Sequence, residues 1–401
     1  MKLLHVINSL NPSDGGTCQA LRHLISSLNT INVHSEVVCL DPVDSTFLEN
    51  YPFLIHALGP VKGPWRYTQR LEKWLLAHLM EYDTIIIHGL WLYNGYCTHK
   101  VWNQFQKLYQ SNKAISQKIP KLYIMPHGML DPYFQRVGQR RFKAIRNTVY
   151  WQLIESQLIN ESDGLLFTSQ RELELAQQSF NPYHPKQSFE VGLGIDDPPV
   201  FEARMKKAFL ANCPEVGEQP YLLFLSRLHE KKGVDLLLNA YEKAIIQCRR
   251  LPKLVIAGPG MNTTYGKKTY QMVQSSAALR QQVYFSGMLS GDAKWGAFYG
   301  CEAFILPSHQ ENFGIAVVEA LACQKPVLIS DQINIAPKIK KAGAGLVSDV
   351  STEGTLELLR TWTGLNFQQR LSMEKQARSL FEDTFSISPV AWRLKELLYA
   401  H

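Results

Sequence analysis

"EAFILPSHQENFGIAVVEALACQKPVLIS", residues 302–330, holds one complete structural unit. "EAFILPS" (302–308) and "PVLIS" (326–330) are short apolar runs without polar alternation, the pattern of parallel strands covered on both faces. Between them the sequence predicts a helix from near Phe313 to about Cys323, apolar on nearly every side and so buried. Strand, helix and strand in that order make a crossover between parallel neighbours. Two carboxylates interrupt this reading: Glu319 in the middle of the apolar helix, and Glu311 just before its start.

Working outward, the same alternation fills the chain. "YLLFLS" (221–226), "KLVIAGPG" (253–260) and "QVYFSG" (282–287) precede the unit, each followed by a helical segment. An earlier series consists of "KLLHVIN" (2–8), "SEVVCL" (35–40), "TIIIHG" (84–89), "LYIMPHG" (122–128) and "GLLFTS" (164–169), with a helix from about Gln19 to Leu28 after the first. The pattern lapses between about 192 and 220, where "GLGIDDPP" and "ANCPEVGEQP" are rich in Gly, Pro and Asp. Two successive runs of strand–helix units predict an α/β protein with two doubly wound, Rossmann-like domains. The expected boundaries are 1–195 for the first domain, 196–220 for a linker, 221–385 for the second domain and 386–401 for a closing amphipathic helix. Ligands of such sheets bind at the carboxyl ends of the strands, so a cleft between the two domains is the expected site.

Bulk properties narrow the function class. Of 401 residues, 45% are hydrophobic and 19% charged, an ordinary globular balance. The net charge of +7 is uneven. Residues 1–200 carry 18 Lys+Arg against 17 Asp+Glu, and residues 201–401 carry 24 against 18. An anionic ligand for the second half and a solvated basic surface both fit this excess. The seven cysteines (18, 39, 97, 213, 248, 301, 323) form no CxxC, which fits reduced thiols in the cytoplasm and neither a disulfide framework nor a zinc site. The start reads as no signal peptide, its short apolar run being broken by His5 and Asn8. No stretch approaches a spanning helix of ~20 apolar residues. "RVGQRRFKAIRNTVYW" (136–151) is basic, with Arg136, Arg140, Arg141, Lys143 and Arg146 beside Tyr150 and Trp151. It fits either a solvated helix face or peripheral contact at the inner membrane face. No nucleic-acid platform is suggested beyond it.

Several residues at predicted strand ends carry chemistry. On one helix, Glu311 and Glu319 would lie about 12 Å apart. That exceeds the roughly 5 Å separation of a retaining hydrolase pair, so the two have separate jobs. A buried Glu319 needs a partner. A structural lysine and the hydroxyls of a ribose diol both satisfy it. The amides near Asn312, Phe313 and Gly314 form a helix N-terminus, which favours oxyanions. In "SRLHEKKG" (226–233), Arg227 and Lys232 suit a diphosphate, although an exposed basic loop has the same composition. "SDGGT" (13–17) and "AGPG" (257–260) are either tight turns or places where backbone approaches a phosphate. His127 in "MPHGMLDP" and His88 with Trp91 in "HGLW" lie at further strand ends, where burial in the core competes with a role in the site.

The order and intervals of these elements resemble the retaining glycosyltransferases of family four, the group 1 glycosyl transferases with the GT-B fold. The shared features are the Gly-Gly loop at 15–16, the "PHG" of His127, Arg227 and Lys232 in "SRLxxKKG", "AGPG" and Phe285–Gly287. Above all, "ENFGIAVVEA" places Glu311 and Glu319 in an E-x7-E pattern. The resemblance implies that Arg227 and Lys232 hold the donor's pyrophosphate and that Glu319 binds its ribose. Glu311, with the amides of Asn312, Phe313 and Gly314, would orient the donor sugar. Gly16 would open the phosphate-side loop, Met288 would lie near the base, and His127 would contact the donor sugar or its phosphate. Glu311 and His127 are thus the catalytic candidates. The last helix is expected to cross back to the first domain. "GLGID" (192–196) departs from the Asn-Gly of many members.

The implied activity is transfer of a sugar from a nucleoside diphosphate donor to a saccharide or lipid-linked saccharide, with retention, in polysaccharide biosynthesis. The resemblance implies no metal, in keeping with the lack of a DxD motif, and no cofactor beyond the nucleotide sugar. A nucleotide-sugar epimerase and a non-catalytic sugar-nucleotide-binding protein are the alternatives on the same fold.

Overall fold

The computed structural model describes residues 1–12, 16–111, 118–136, 141–248 and 250–400. In it the chain forms two units. One comprises Met1–Gly194 together with the chain from Ile387 onward; the other is Ile195–Ser386.

The first unit is built on seven strands: β1 (Lys2–Val6), β2 (His34–Cys39), β3 (Ile55–Ala57), β4 (Thr84–His88), β5 (Lys121–Met125), β6 (Gly164–Phe167) and β7 (Ser188–Glu190). Their order is β3-β2-β1-β4-β5-β6-β7 and every pairing is parallel. The inner strands are buried on both faces, as their unbroken apolar runs require. Helix Ile387–Ala400 packs on helix Gly16–Thr30 of this unit, where Lys395 Nζ donates to the Ile31 carbonyl at 2.8 Å and Arg393 donates to the Val191 carbonyl at 3.0 Å. The last helix therefore does return to the first unit, as the resemblance implied. Gly194 admits this return, because a Cβ there would lie 2.7 Å from Ile387 Cα.

The second unit has six parallel strands: β8 (Tyr221–Leu225), β9 (Lys253–Ala257), β10 (Val283–Gly287), β11 (Ala303–Leu306), β12 (Val327–Ser330) and β13 (Gly345–Ser348). Their order is β10-β9-β8-β11-β12-β13. Helix Ala203–Asn212, in the stretch read from sequence as linker, packs in this unit against helix Gly291–Gly300. Gly296 lets the two meet, since a Cβ on it would lie 2.0 Å from the Met205 carbonyl oxygen.

All ten strand runs read from the sequence are strands. The three it did not show, β3, β7 and β13, lie at sheet edges and are three or four residues long. In each sheet the connections reverse direction beside the first strand: between β1 and β4 in one, between β8 and β11 in the other. Loops leaving the carboxyl ends on either side of such a point diverge and open a crevice.

The crevice in the second sheet depends on close backbone approach. Gly233, at the end of the loop after β8, is left-handed (φ 68, ψ 30), and a Cβ on it would lie 2.2 Å from the Pro307 carbonyl oxygen of the loop after β11. Gly343 has nearly the same dihedrals (φ 66, ψ 23), but its neighbour is the flexible end of Gln376. Both Gly→Ala changes should cost the left-handed strain of about 1–2 kcal/mol. G233A should cost clearly more, because a carbonyl must also move. Calorimetric melting of the two variants checks this; equal losses would mean that the β8 and β11 loops are not rigidly apposed.

Candidate active site

In the second unit the structure brings Lys232 and Glu311 together. The loop after β8 carries Arg227, Lys231 and Lys232; the loop after β11 carries Glu311. The Lys232 ammonium and Glu311 carboxylate form an ion pair with both side chains largely buried, 14% and 13% exposed. The two loops are tied by backbone: His309 N–H donates to the Lys231 carbonyl at 2.8 Å, and Ser308 Oγ donates to it at 3.1 Å. A second seam holds Glu311 to the loop after β12, its N–H donating to Gln332 and its carbonyl accepting from Asn334.

The charge at this point is unbalanced. Burial, with Lys231 and Arg227 nearby, pulls the Lys232 ammonium down to about 7, while Glu311 acts in the other direction. Among the described residues, Lys232 has Lys231 and Arg227 as like-charged neighbours, a setting that an added anion would relieve.

Next to them begins helix Ile315–Ala322. It starts two residues later than the sequence predicted, because Gly314 takes a left-handed conformation (φ 78) as its N-cap. Among the described residues, the amides of Phe313, Gly314, Ile315 and Ala316 meet no acceptor, so the open amides run further into the helix than expected. Phe313 offers only its backbone, for its ring is 4% exposed and packs edge-on against Phe385. The Asn312 side chain accepts from Asn334 at 3.2 Å.

Glu319 has the lysine partner that was one of its two readings. Lys294 Nζ lies 2.8 Å from its carboxylate and 4.1 Å from the centre of the Trp295 ring. The helix is not apolar all round: Ile315, Ala316 and Glu319 are only part-buried and share one face. Lys294 carried no signal in the sequence, being 25 residues away on another helix. Met288 follows β10 directly and is 72% exposed. Arg227 is exposed on its loop. The turn "AGPG" proves to be a packing device. Cβ atoms at Gly258 and Gly260 would strike the carbonyls of Ser226 and Leu228, so these glycines admit the Arg227 loop.

The remaining predicted residues belong to the first unit. Gly16 is the exposed first residue of helix Gly16–Thr30; Ser13, Asp14 and Gly15 lie outside the described residues, as does Arg140. His127, two residues past β5, has a left-handed backbone (φ 53) and is part-buried. Its Nε2 lies 3.0 Å from Nδ1 of His88. Glu172, which the sequence reading passed over, pins this turn. Its buried carboxylate accepts from Gly128 N–H at 2.5 Å and from Thr168 N–H at 2.8 Å. Trp91 packs with Trp151 and Phe180, and its N–H donates to buried Glu155, whose carboxyl is pushed up to about 7 by burial.

Known proteins resemble the chain in sequence and in shape. The family model for glycosyl transferases group 1 matches residues 206–379. An uncharacterized glycosyltransferase, MJ1607, of Methanocaldococcus jannaschii is 28% identical over 213 residues, 51% of this chain and 50% of that protein. The GDP-mannose-dependent alpha-(1-6)-phosphatidylinositol monomannoside mannosyltransferase of Mycolicibacterium smegmatis is 24% identical over 221 residues, 51% of this chain and 55% of that one. The chain thus spans about half the length of the curated relatives it matches. The crystal structure of Anabaena Alr3699/HepE in complex with UDP and glucose superposes with a TM-score of 0.71 over 100% of both chains at 18% identity. The architecture is therefore the GT-B fold, with two Rossmann-like units. Residues 206–379, which include the Lys232–Glu311 pair, match the family model for glycosyl transferases group 1.

Proposed function

We propose that the protein transfers a glycosyl group from a nucleoside diphosphate sugar to a saccharide or lipid-linked saccharide, with retention of configuration and without a metal, in polysaccharide biosynthesis. The observation that carries this reading is the Lys232–Glu311 pair at the β8/β11 reversal, with two further cations and open helix amides beside it. Arg227, Lys231 and Lys232 hold the diphosphate and stabilise the charge that develops on it as the glycosidic bond breaks. The amides of Phe313 to Ala316 add donors at the same helix end. Glu311 accepts from hydroxyls of the donor sugar. Glu319, oriented by Lys294, binds the ribose, and Met288 lies along the base. Gly16 leaves room for backbone beside the phosphates, and His127 contacts the donor sugar or its phosphate.

With Glu311 assigned to sugar hydroxyls and Glu319 to the ribose, this reading gives no carboxylate the role of displacement nucleophile. Retention then follows from attack on the same face as departure, with the leaving phosphate accepting the acceptor's proton. UDP and GDP are the bases to test first, given the UDP bound to the Anabaena protein and the GDP-mannose in the mycobacterial relative's name. That relative's name also contains a lipid acceptor. On helix Arg141–Tyr150 and its continuation, exposed Ile145, Val149 and Leu153 recur every four residues beside exposed Lys143 and Arg146. Such a face suits an anionic membrane surface, where a lipid-linked acceptor resides. No helix among the described residues is long and apolar enough to cross a membrane.

Transfer by E311Q should fall about 10–10²-fold in kcat/KM, the loss of a hydrogen bond to a charged group. Proton NMR of the product should show an unchanged anomeric configuration. An inverted product would overturn the same-face mechanism.

Diphosphate binding should take up a proton. With Lys232 near 7 in the free protein, the ammonium is mostly discharged at pH 8 and restored by the bound anion. Titration calorimetry with UDP or GDP in buffers of different ionisation enthalpy should show uptake approaching one proton at pH 8 and little at pH 6. Affinity should accordingly weaken as pH rises above 7. K232M should abolish the buffer dependence.

Wild-type protein should sediment with phosphatidylglycerol vesicles more than with phosphatidylcholine vesicles, and the double change I145E/V149E should reduce this. Equal sedimentation on both lipids would reject the membrane face.

A further inference from the structure

Three histidines cross the first sheet in a hydrogen-bonded row. His5 Nδ1 lies 2.9 Å from His88 Nε2, and His88 Nδ1 lies 3.0 Å from His127 Nε2. The rings are stacked at 5.2 and 5.3 Å between centres. Parallel register creates the row. β1, β4 and β5 are neighbours, His5 pairs with Ile86, and His88 pairs with Met125. Side chains two residues apart in a strand share a face, so His5 and His88 emerge on the same side, and the left-handed turn after β5 sets His127 beside His88. His5 is fully buried, His88 is 4% exposed, and His127 is the open end. Among the described residues no group of three His, Cys, Asp or Glu side chains is arranged to hold a metal ion.

A neutral imidazole has one N–H and one acceptor nitrogen. In a row joined in this way only two arrangements keep both bonds. With every ring in the Nδ1–H form, His5 donates to His88, His88 donates to His127, and His127 is left with Nδ1–H. With every ring in the Nε2–H form the direction reverses, and His127 is left with a bare Nδ1. The inner end decides between them. His5 Nε2 is buried and has no hydrogen-bond partner among the described residues. The second arrangement would strand an N–H donor there, the rarer and costlier defect, whereas the first leaves only an unused acceptor. Burial holds all three rings neutral near pH 7: His5 is lowered to about 3, His127 to about 4, and His88 well below its usual value.

We propose that His5 and His88 are positioning residues that lock His127 in its Nδ1–H form, so that His127 offers the substrate a neutral hydrogen-bond donor and not a base. This rests on the reading above that His127 contacts the donor sugar or its phosphate. Glu172 fixes the backbone of the same turn through Gly128, so ring and main chain are held from two directions. A donor at this position suits an oxygen acceptor, a sugar hydroxyl or a phosphate oxygen, and is wasted on a proton to be abstracted. The lock also opposes the Nε2–H form that free histidine favours.

The test is the tautomer itself. The full chain with ¹⁵N-labelled histidine would be studied by long-range ¹H–¹⁵N correlation, with H5N, H88N and H127N used for assignment. Nδ1–H patterns for His5, His88 and His127, unchanged between pH 6 and 8, are expected. An Nε2–H pattern at His127 would overturn the proposal, whatever the activity. In H88L, His127 should move toward Nε2–H and kcat/KM should fall about 3–10-fold, the worth of one neutral hydrogen bond. H88N keeps an amide N–H where His88 Nδ1–H stood and should restore both. Unchanged His127 shifts in H88L would likewise reject the lock. If the wild-type tautomers are as expected but H127A transfers sugar normally, the lock stands and the placement of His127 against substrate falls.

Discussion

An ammonium and a carboxylate, both mostly withdrawn from water, meet where β8 and β11 release their loops, and the second unit is organised around that meeting. Neither group is stable there alone. Removing one partner of such a pair leaves an uncompensated buried charge, which is costlier than the pair is worth. The loops must therefore hold register. Three features do this: the left-handed Gly233 against the Pro307 carbonyl, the Lys231 carbonyl shared by Ser308 and His309, and the bridge from Glu311 to Ile333. The helix from Ile315 follows directly, so its open amides inherit the same fixed frame.

How much of this was legible follows from what a sequence pattern encodes. Inner parallel strands must be apolar on both faces, and nine of the ten strand runs read from the sequence are inner; the tenth, β10, is an edge strand that was legible by its apolar run alone. β3, β7 and β13 lie at the edges, are short and are partly open, so their residues carry no such requirement. Glu311 and Lys232 were recognisable separately, by position after a strand, but not as partners, since nothing in spacing links positions 79 residues apart on different loops. Lys294 and Glu172 were invisible for the same reason. Phe313 was legible as a backbone donor, while its ring turned out to be core. "AGPG" was read as a tight turn or a phosphate approach, and its contact with Ser226 and Leu228 is a packing role that neither reading contained.

The two sheets treat buried polar groups differently. In the second, opposite charges are placed together. In the first, the histidine row keeps three titratable rings neutral by burial and satisfies them mutually, with one nitrogen left over at the inner end. Both solutions sit at the carboxyl ends of strands beside the reversal of strand order. That is where the parallel arrangement leaves loops free to carry chemistry and the sheet below supplies rigidity.

On the proposed function, the ion pair is a placeholder. Without donor, Glu311 supplies the negative charge that Lys232 requires. A diphosphate brings more negative charge than one carboxylate and can take over that role. Glu311 then has acceptor capacity to spare, and the nearest donors to a pyrophosphate-bound sugar are that sugar's own hydroxyls. Phosphate binding and sugar orientation become one event, since Lys232 exchanges one partner for another and releases the group that aligns the second half of the same molecule. A protein with an apolar residue at 311 would bind the diphosphate against fewer competing contacts, yet would have nothing to turn toward the sugar. Binding and orientation are thus opposed at Glu311, and the buried pair is the physical form of that compromise.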